Sequence, residues 1–169
     1  MPETQNLGTL QHISADAVGQ PGQRRFRLRL ITQSPQYAYV WLEKEQLVGL
    51  KDAIVTILDE YDHSPIPTQQ EDSVFPLDVD VELDIRAGNL SLGLKEAEDL
   101  IVLIAAGVSQ EEAISLSVEF DYARARALCV QIETVVASGR QPCPLCGGPI
   151  DPEGHVCPRS NGFHKNPEE

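Results

Sequence analysis

Three thiols and an imidazole fall within 15 residues near the C-terminus, in Cys143-Pro-Leu-Cys146-Gly and His155-Val-Cys157-Pro. Zinc takes four soft or borderline donors in a tetrahedron, and a Cys-x-x-Cys turn lets two thiolates meet one ion from a single loop. Gly147, directly after Cys146, permits the positive φ that such a knuckle uses. The second knuckle departs from the pattern, because Cys157-Pro-Arg-Ser160 carries a serine where a thiolate is expected. The fourth donor is then His155 or His164. His155 stands two residues before Cys157, whereas His164 lies further along the tail, where ordering costs more entropy. The spacing predicts zinc on Cys143, Cys146, His155 and Cys157. A structural role is the first expectation, since a segment below roughly 40 residues rarely folds without such a staple. Free thiols, a redox pair and a catalytic zinc with a water in the fourth position are the alternatives. A redox pair should open a helix after a strand, which Pro149, Pro152 and Gly154 oppose. Glu153 is the one acid placed to serve a catalytic zinc as base.

Elsewhere, Arg25, Arg27 and Arg29 share one face of an alternating segment, with Arg24 beside them. Together they could hold an anion or a phosphate. Asp80, Glu82 and Asp84 mirror that pattern, so an Arg/acid ladder across neighbouring strands is the structural alternative. With Asp78 the same acids could also form an all-oxygen cation site. Gly19-Gln-Pro-Gly22 lacks the Lys-Ser/Thr of a phosphate loop and reads as a hairpin turn. His12 and His63 are isolated, and Cys129 sits beside an apolar stripe as a small core residue. No catalytic constellation emerges, so whether the protein is an enzyme stays open.

The elements that must position these groups follow from periodicity. Thr9–Asp16, Arg25–Leu30 and Gln36–Leu42 alternate as strands, and the last puts Tyr37, Tyr39 and Trp41 opposite Ala38, Val40 and Leu42. Leu47, Leu50, Ile54, Ile57, Leu58 and Tyr61 form a helical stripe, placing a helix over Glu43–Tyr61. Residues 62–75 have no period and read as a linker. Val79–Ile85 and Leu90–Leu94, bent at Gly88-Asn89, then Asp99–Ala106 and Ala113–Phe120, predict further strands before a second helix over Asp121–Ser138. Its stripe of Ala125, Leu128, Ile132, Val135 and Val136 superposes on the first at a shift of 78 residues, while Ala15–Val18 matches Ala87–Leu90 at a shift of 72.

The expected fold is α+β: two degenerate βββα repeats forming an antiparallel sheet with two packed helices, plus a zinc ribbon-like knuckle. Residues 1–139 form the duplicated domain (repeats at about 8–61 and 79–138), and 140–169 the tail, cut off by a C′ glycine at 139.

The run from Cys143 to Gly162 resembles the tail of an uncharacterised bacterial repeat-protein family catalogued as domain of unknown function 3090. Gly19–Arg24 and Glu43–Leu47 are similar to its N-terminal motifs, so the likeness covers nearly the whole chain. Asp16 departs from it, where glycine is expected. The resemblance implies that Cys143, Cys146, His155 and Cys157 are the metal set, and it brings no activity.

Over 169 residues the formal net charge is −13, and thirteen acids between 51 and 99 face only Lys51, Arg86 and Lys95. Such a surface repels phosphate backbones and anionic lipid. Neither an apolar span nor a basic, apolar leader is present. The sequence thus predicts a cytoplasmic zinc-binding protein that contacts a protein partner, with neither membrane nor nucleic acid as its target. The alternative is an enzyme or small-anion-binding protein using the repeat domain, which a deep pocket lined by the arginines would favour.

Overall fold

The computed structural model describes residues 3–20, 22–63, 79–108, 114–137 and Leu145. Six strands and two long helices follow in the order β1 (Glu3–Val18), β2 (Arg25–Thr32), β3 (Tyr37–Leu42), α1 (Lys44–Tyr61), β4 (Leu83–Lys95), β5 (Leu100–Gly107), β6 (Ile114–Asp121) and α2 (Tyr122–Ala137). The fold is α+β as expected, and both helices lie within a residue of their expected limits.

The sheet corrects the expectation of a purely antiparallel array. Its strands close into a barrel in sequence order, with β6 returning to β1. The β1/β6 and β3/β4 ladders are parallel, and the other four are antiparallel. The cause lies in β1 and β4, each long enough to serve two neighbours. Residues 3–9 of β1 run beside β6, and residues 10–18 pair with β2. Likewise 83–86 of β4 run beside β3 and 87–95 pair with β5. A parallel pair needs a crossover, which α1 supplies between β3 and β4.

Two local devices bend β1 where it changes partner. Its register slips around Leu7 and again at Gln11, and Gly8 takes φ 69, with its N–H held by Asn6 Oδ1 at 2.9 Å. β4 slips once, at Gly88, so the expected break there is a bulge inside one continuous strand. The two bulges that face β2 and β5 fall at 11 and 88, 77 residues apart. An offset of 77, where the sequence suggested 72, sets Ala15 against Leu92. Along the helices, buried Leu47, Leu50 and Ile54 recur as Ala125, Leu128 and Ile132, each 78 residues on.

Alternation decides what faces in. Phe26, Leu28 and Leu30 from β2, Ala38, Val40 and Leu42 from β3, Ile101, Leu103 and Ala105 from β5, and Leu116, Val118 and Phe120 from β6 join the helix stripes in one core. Burying each large side chain contributes about 1.5–3 kcal/mol. The helices run antiparallel, because Lys51 of α1 meets Glu133 of α2 at 3.6 Å while Arg126 pairs with Asp62, just past α1. No helix among the described residues is long and apolar enough to cross a membrane.

Candidate anion-binding cleft

With the apolar set inside, the outer faces of β1 to β4 carry the charged and aromatic side chains that the sequence singled out. The Arg/acid ladder does not form as expected, since β3 lies between β2 and β4. Alternation fixes the face on which a residue points, not its neighbouring strand. Arg27 instead gives Nε and Nη2 to Asp16 of β1, and Arg29 gives Nε to Ser14 at 3.2 Å. Asp16 holds the Arg27 guanidinium above its ordinary pKa against the opposing effect of burial.

On the other side of β2 the arginines meet rings. The Arg25 guanidinium lies 4.2 Å from the Trp41 ring centre and that of Arg27 lies 4.3 Å from Tyr39, distances at which a cation is drawn to the π face. Beyond the rings come the acids. Asp84 Oδ1 accepts Trp41 Nε1–H at 2.6 Å, and Glu82 Oε2 accepts the Tyr37 backbone N–H at 2.7 Å. These carboxylates are spent on β3, and among the described residues no three His, Cys, Asp or Glu converge as a metal site. Asp78 of the considered cation site lies outside the described residues.

Where β2, β3 and β4 meet the start of α1, a cavity of about 170 Å³ opens. Arg24, Arg25 and Arg86 line it with Trp41, Glu43 and Gln46. Arg25 is common to this trio and to the trio expected from sequence, whereas Arg27 and Arg29 turn toward Asp16. Arg24 gives Nη1 to the Val135 carbonyl of α2 at 3.1 Å, and among the described lining residues Glu43 is the one carboxylate, 3.5 Å from Arg86. Both partners of that pair are largely exposed, so it holds Arg86 weakly. Trp41 lies against the Arg25 guanidinium, and the planar fork of N–H donors that an arginine carries suits a carboxylate or phosphate.

Gln46 fixes the cleft's inner wall. Its Oε1 accepts the Glu43 N–H at 2.8 Å, and its Nε2 reaches the carbonyls of Ala87 at 3.2 Å and Gly88 at 3.3 Å, which ties α1 to the β4 bulge. Neither Gln46 nor Arg86 was singled out from the sequence. The signal for Gln46 was its place three residues after Glu43, the spacing of a capping box.

The corner where β5 and β6 meet the start of α2 is more acidic. Asp99, Glu119 and Asp121 stand there, with Lys95 paired to Glu119. Arg124 takes the place of Gln46 and donates to the Gln11 carbonyl at 2.9 Å, but it also pairs with Asp121 at 2.7 Å. Arginines outnumber carboxylates at the first corner, and carboxylates outnumber cations at the second.

The sequence pattern of a family described as Protein of unknown function (DUF3090) matches residues 6–157. The chain belongs to the DUF3090 family. No curated protein gives a significant match. The DUF3090 match runs from within β1, through the barrel and both helices, to Cys157. Cys143, Cys146, His155, Cys157 and His164 all lie outside the described residues. His12 is hydrogen-bonded to Ser14 Oγ at 2.8 Å, and His63 is exposed just past α1. Cys129 is 7% exposed in the core, and burial, followed by the charge of Glu133, pushes its thiol up to about 11.

Proposed function

We propose that this protein binds a small anion, a carboxylate or phosphate, in the cleft of Arg24, Arg25 and Arg86. The observation that carries this reading is a cavity of about 170 Å³ lined by Arg24, Arg25 and Arg86 beside Trp41. The zinc expected on Cys143, Cys146, His155 and Cys157 has a structural role in this reading, holding the tail's own shape. Reduced thiols bound to metal fit a cytoplasmic protein. The recurring βββα order and the 78-residue offset of the buried helix positions support descent of the two halves from one repeated unit.

Trp41 is the only tryptophan, so its emission reports on the cleft directly. Titration with inorganic phosphate and with acetate should give a saturable change that Arg25→Ala/Arg86→Ala abolishes. The absence of saturable binding to either anion, by fluorescence and by calorimetry, sinks the reading.

The clustering of zinc donors in a short tail favours a second reading, an adaptor that docks a protein partner through the knuckle. Capture from native extract on wild type and on Cys143→Ser/Cys146→Ser tests it. A partner retained equally by both removes the zinc-dependent version.

A further inference from the structure

The two helix–strand seams of the barrel are not alike. Along α2, Gln131 Oε1 accepts the Ala15 N–H of β1 at 3.1 Å, and Ile13 and Ala15 are 4% and 6% exposed, so that seam is shut. Leu90 and Leu92 of β4 hold the corresponding places beneath α1, and both are only half-buried. Between them and α1, among the described residues, runs an open groove of about 320 Å³, with Gly49, Leu50 and Ala53 on its helical side. Where α2 has Gln131 to fill its seam, α1 has Ala53, 78 residues earlier.

Gly49 widens the gap further. Glycine inside a helix is unfavourable relative to alanine, so it normally marks a close approach. Here, among the described residues, a Cβ would meet no atom within 4 Å. Local packing therefore gives no reason for the missing side chain, and its effect is to leave the groove wide.

This groove abuts the arginine cleft. Gln46 lines both cavities, and the adjoining residues Ala87 and Gly88 line one each. A cationic end and an apolar trough are thus set end to end along α1, a complement to a ligand that is acidic at one end and hydrocarbon along the rest. From Gln46 to Ala53 the helix rises only about 10 Å, which suits a chain of medium length.

We propose that the ligand is an amphiphilic anion whose head sits among Arg24, Arg25 and Arg86 and whose unbranched alkyl chain lies in the α1/β4 groove. The proposal rests on the anion-binding reading and adds the chain to it. The full-length protein is titrated, below aggregation concentrations, with n-alkyl carboxylates from acetate to decanoate, the matching n-alkyl phosphates and the matching alcohols. Affinity should rise about two- to four-fold per methylene up to a plateau for the acids, with the alcohols far weaker. The two acid series distinguish the head groups. Gly49→Leu/Ala53→Leu should remove the chain-length increment while leaving acetate and phosphate affinity unchanged, and Gly49→Ala serves as the milder variant if the first fails to fold. Binding of acetate and phosphate with no chain-length increment overturns the groove while the anion reading stands. Alcohols as tight as acids overturn the cationic anchor. No binding of any acid overturns both.

Discussion

Asp16 on β1 receives the Nε and Nη2 of Arg27 on β2, at 2.8 and 3.0 Å, in a bidentate pair in which the Arg27 side chain is 19% and that of Asp16 25% exposed. Asp16 also stands 3.8 Å from Arg29. This one carboxylate therefore takes two of the three outward arginines of β2 out of play for a ligand and leaves Arg25 facing the cleft. Partial solvent access limits the pair to about 1 kcal/mol despite its geometry. Asp16→Asn should lower unfolding stability by that amount in low-salt urea titrations, with a smaller loss at high salt. A salt-independent loss would mean that packing rather than charge is responsible.

Cys129 supplies a pH prediction. Its folded pKa, about 11, lies above the ordinary thiol value of 9.0, so the folded state favours the protonated form. That contribution is whole below pH 9 and is lost as pH rises toward 11, because the unfolded thiol ionises first. Two units correspond to about 2–3 kcal/mol as an upper bound. Cys129→Val should show a shallower alkaline fall in stability than wild type. Peptide mapping after alkylation of native protein at pH 8 should find Cys129 unmodified, and ready labelling would contradict its burial.

Gly49→Ala should stabilise the chain by about 0.5–1 kcal/mol, as expected for an open helical site. Thermal melting reads it. A destabilised variant would show that α1 closes on β4 more tightly in solution.

The Tyr122 hydroxyl is buried without a hydrogen-bond partner among the described residues, and burial followed by the charge of Asp99 raises its pKa. Tyr122→Phe removes that orphan polar atom and should raise stability by about 1 kcal/mol. A loss of similar size would reveal a partner for the hydroxyl.

For the tail, purified protein should carry one zinc per chain by elemental analysis. His155→Ala should lose it to a competing chelator, and His164→Ala should keep it. The reverse order would move the fourth ligand to His164.

Both helices and most of the core could be read from the sequence, because Leu47, Leu50 and Ile54 repeat at helical spacing and Phe26, Leu28 and Leu30 at strand spacing. Which face of β3 was buried could not, since Tyr37, Tyr39 and Trp41 are as apolar in outline as Ala38, Val40 and Leu42. Closure was hidden for a different reason. Glu3 pairs with Ile114, and local periodicity carries no information about a partner so distant in the chain. The cleft was half legible: Arg25 stood out in an arginine run, but Arg86 joins it only because β4 lies beside β3.

That same pairing governs how the chain can be made. Among the described residues, 3–9 of β1 find their ladder on β6, so the barrel's first strand must wait for its last before its outer half is satisfied. Neither half can seal the barrel alone, since β3 needs β4 and β6 needs β1. Long-range pairing of this kind slows folding and exposes unpaired strands meanwhile. The nascent chain therefore stays incomplete on the ribosome until residue 121 has emerged, and a fragment ending after α1 should associate with a second copy through its open strand edges rather than persist as a monomer.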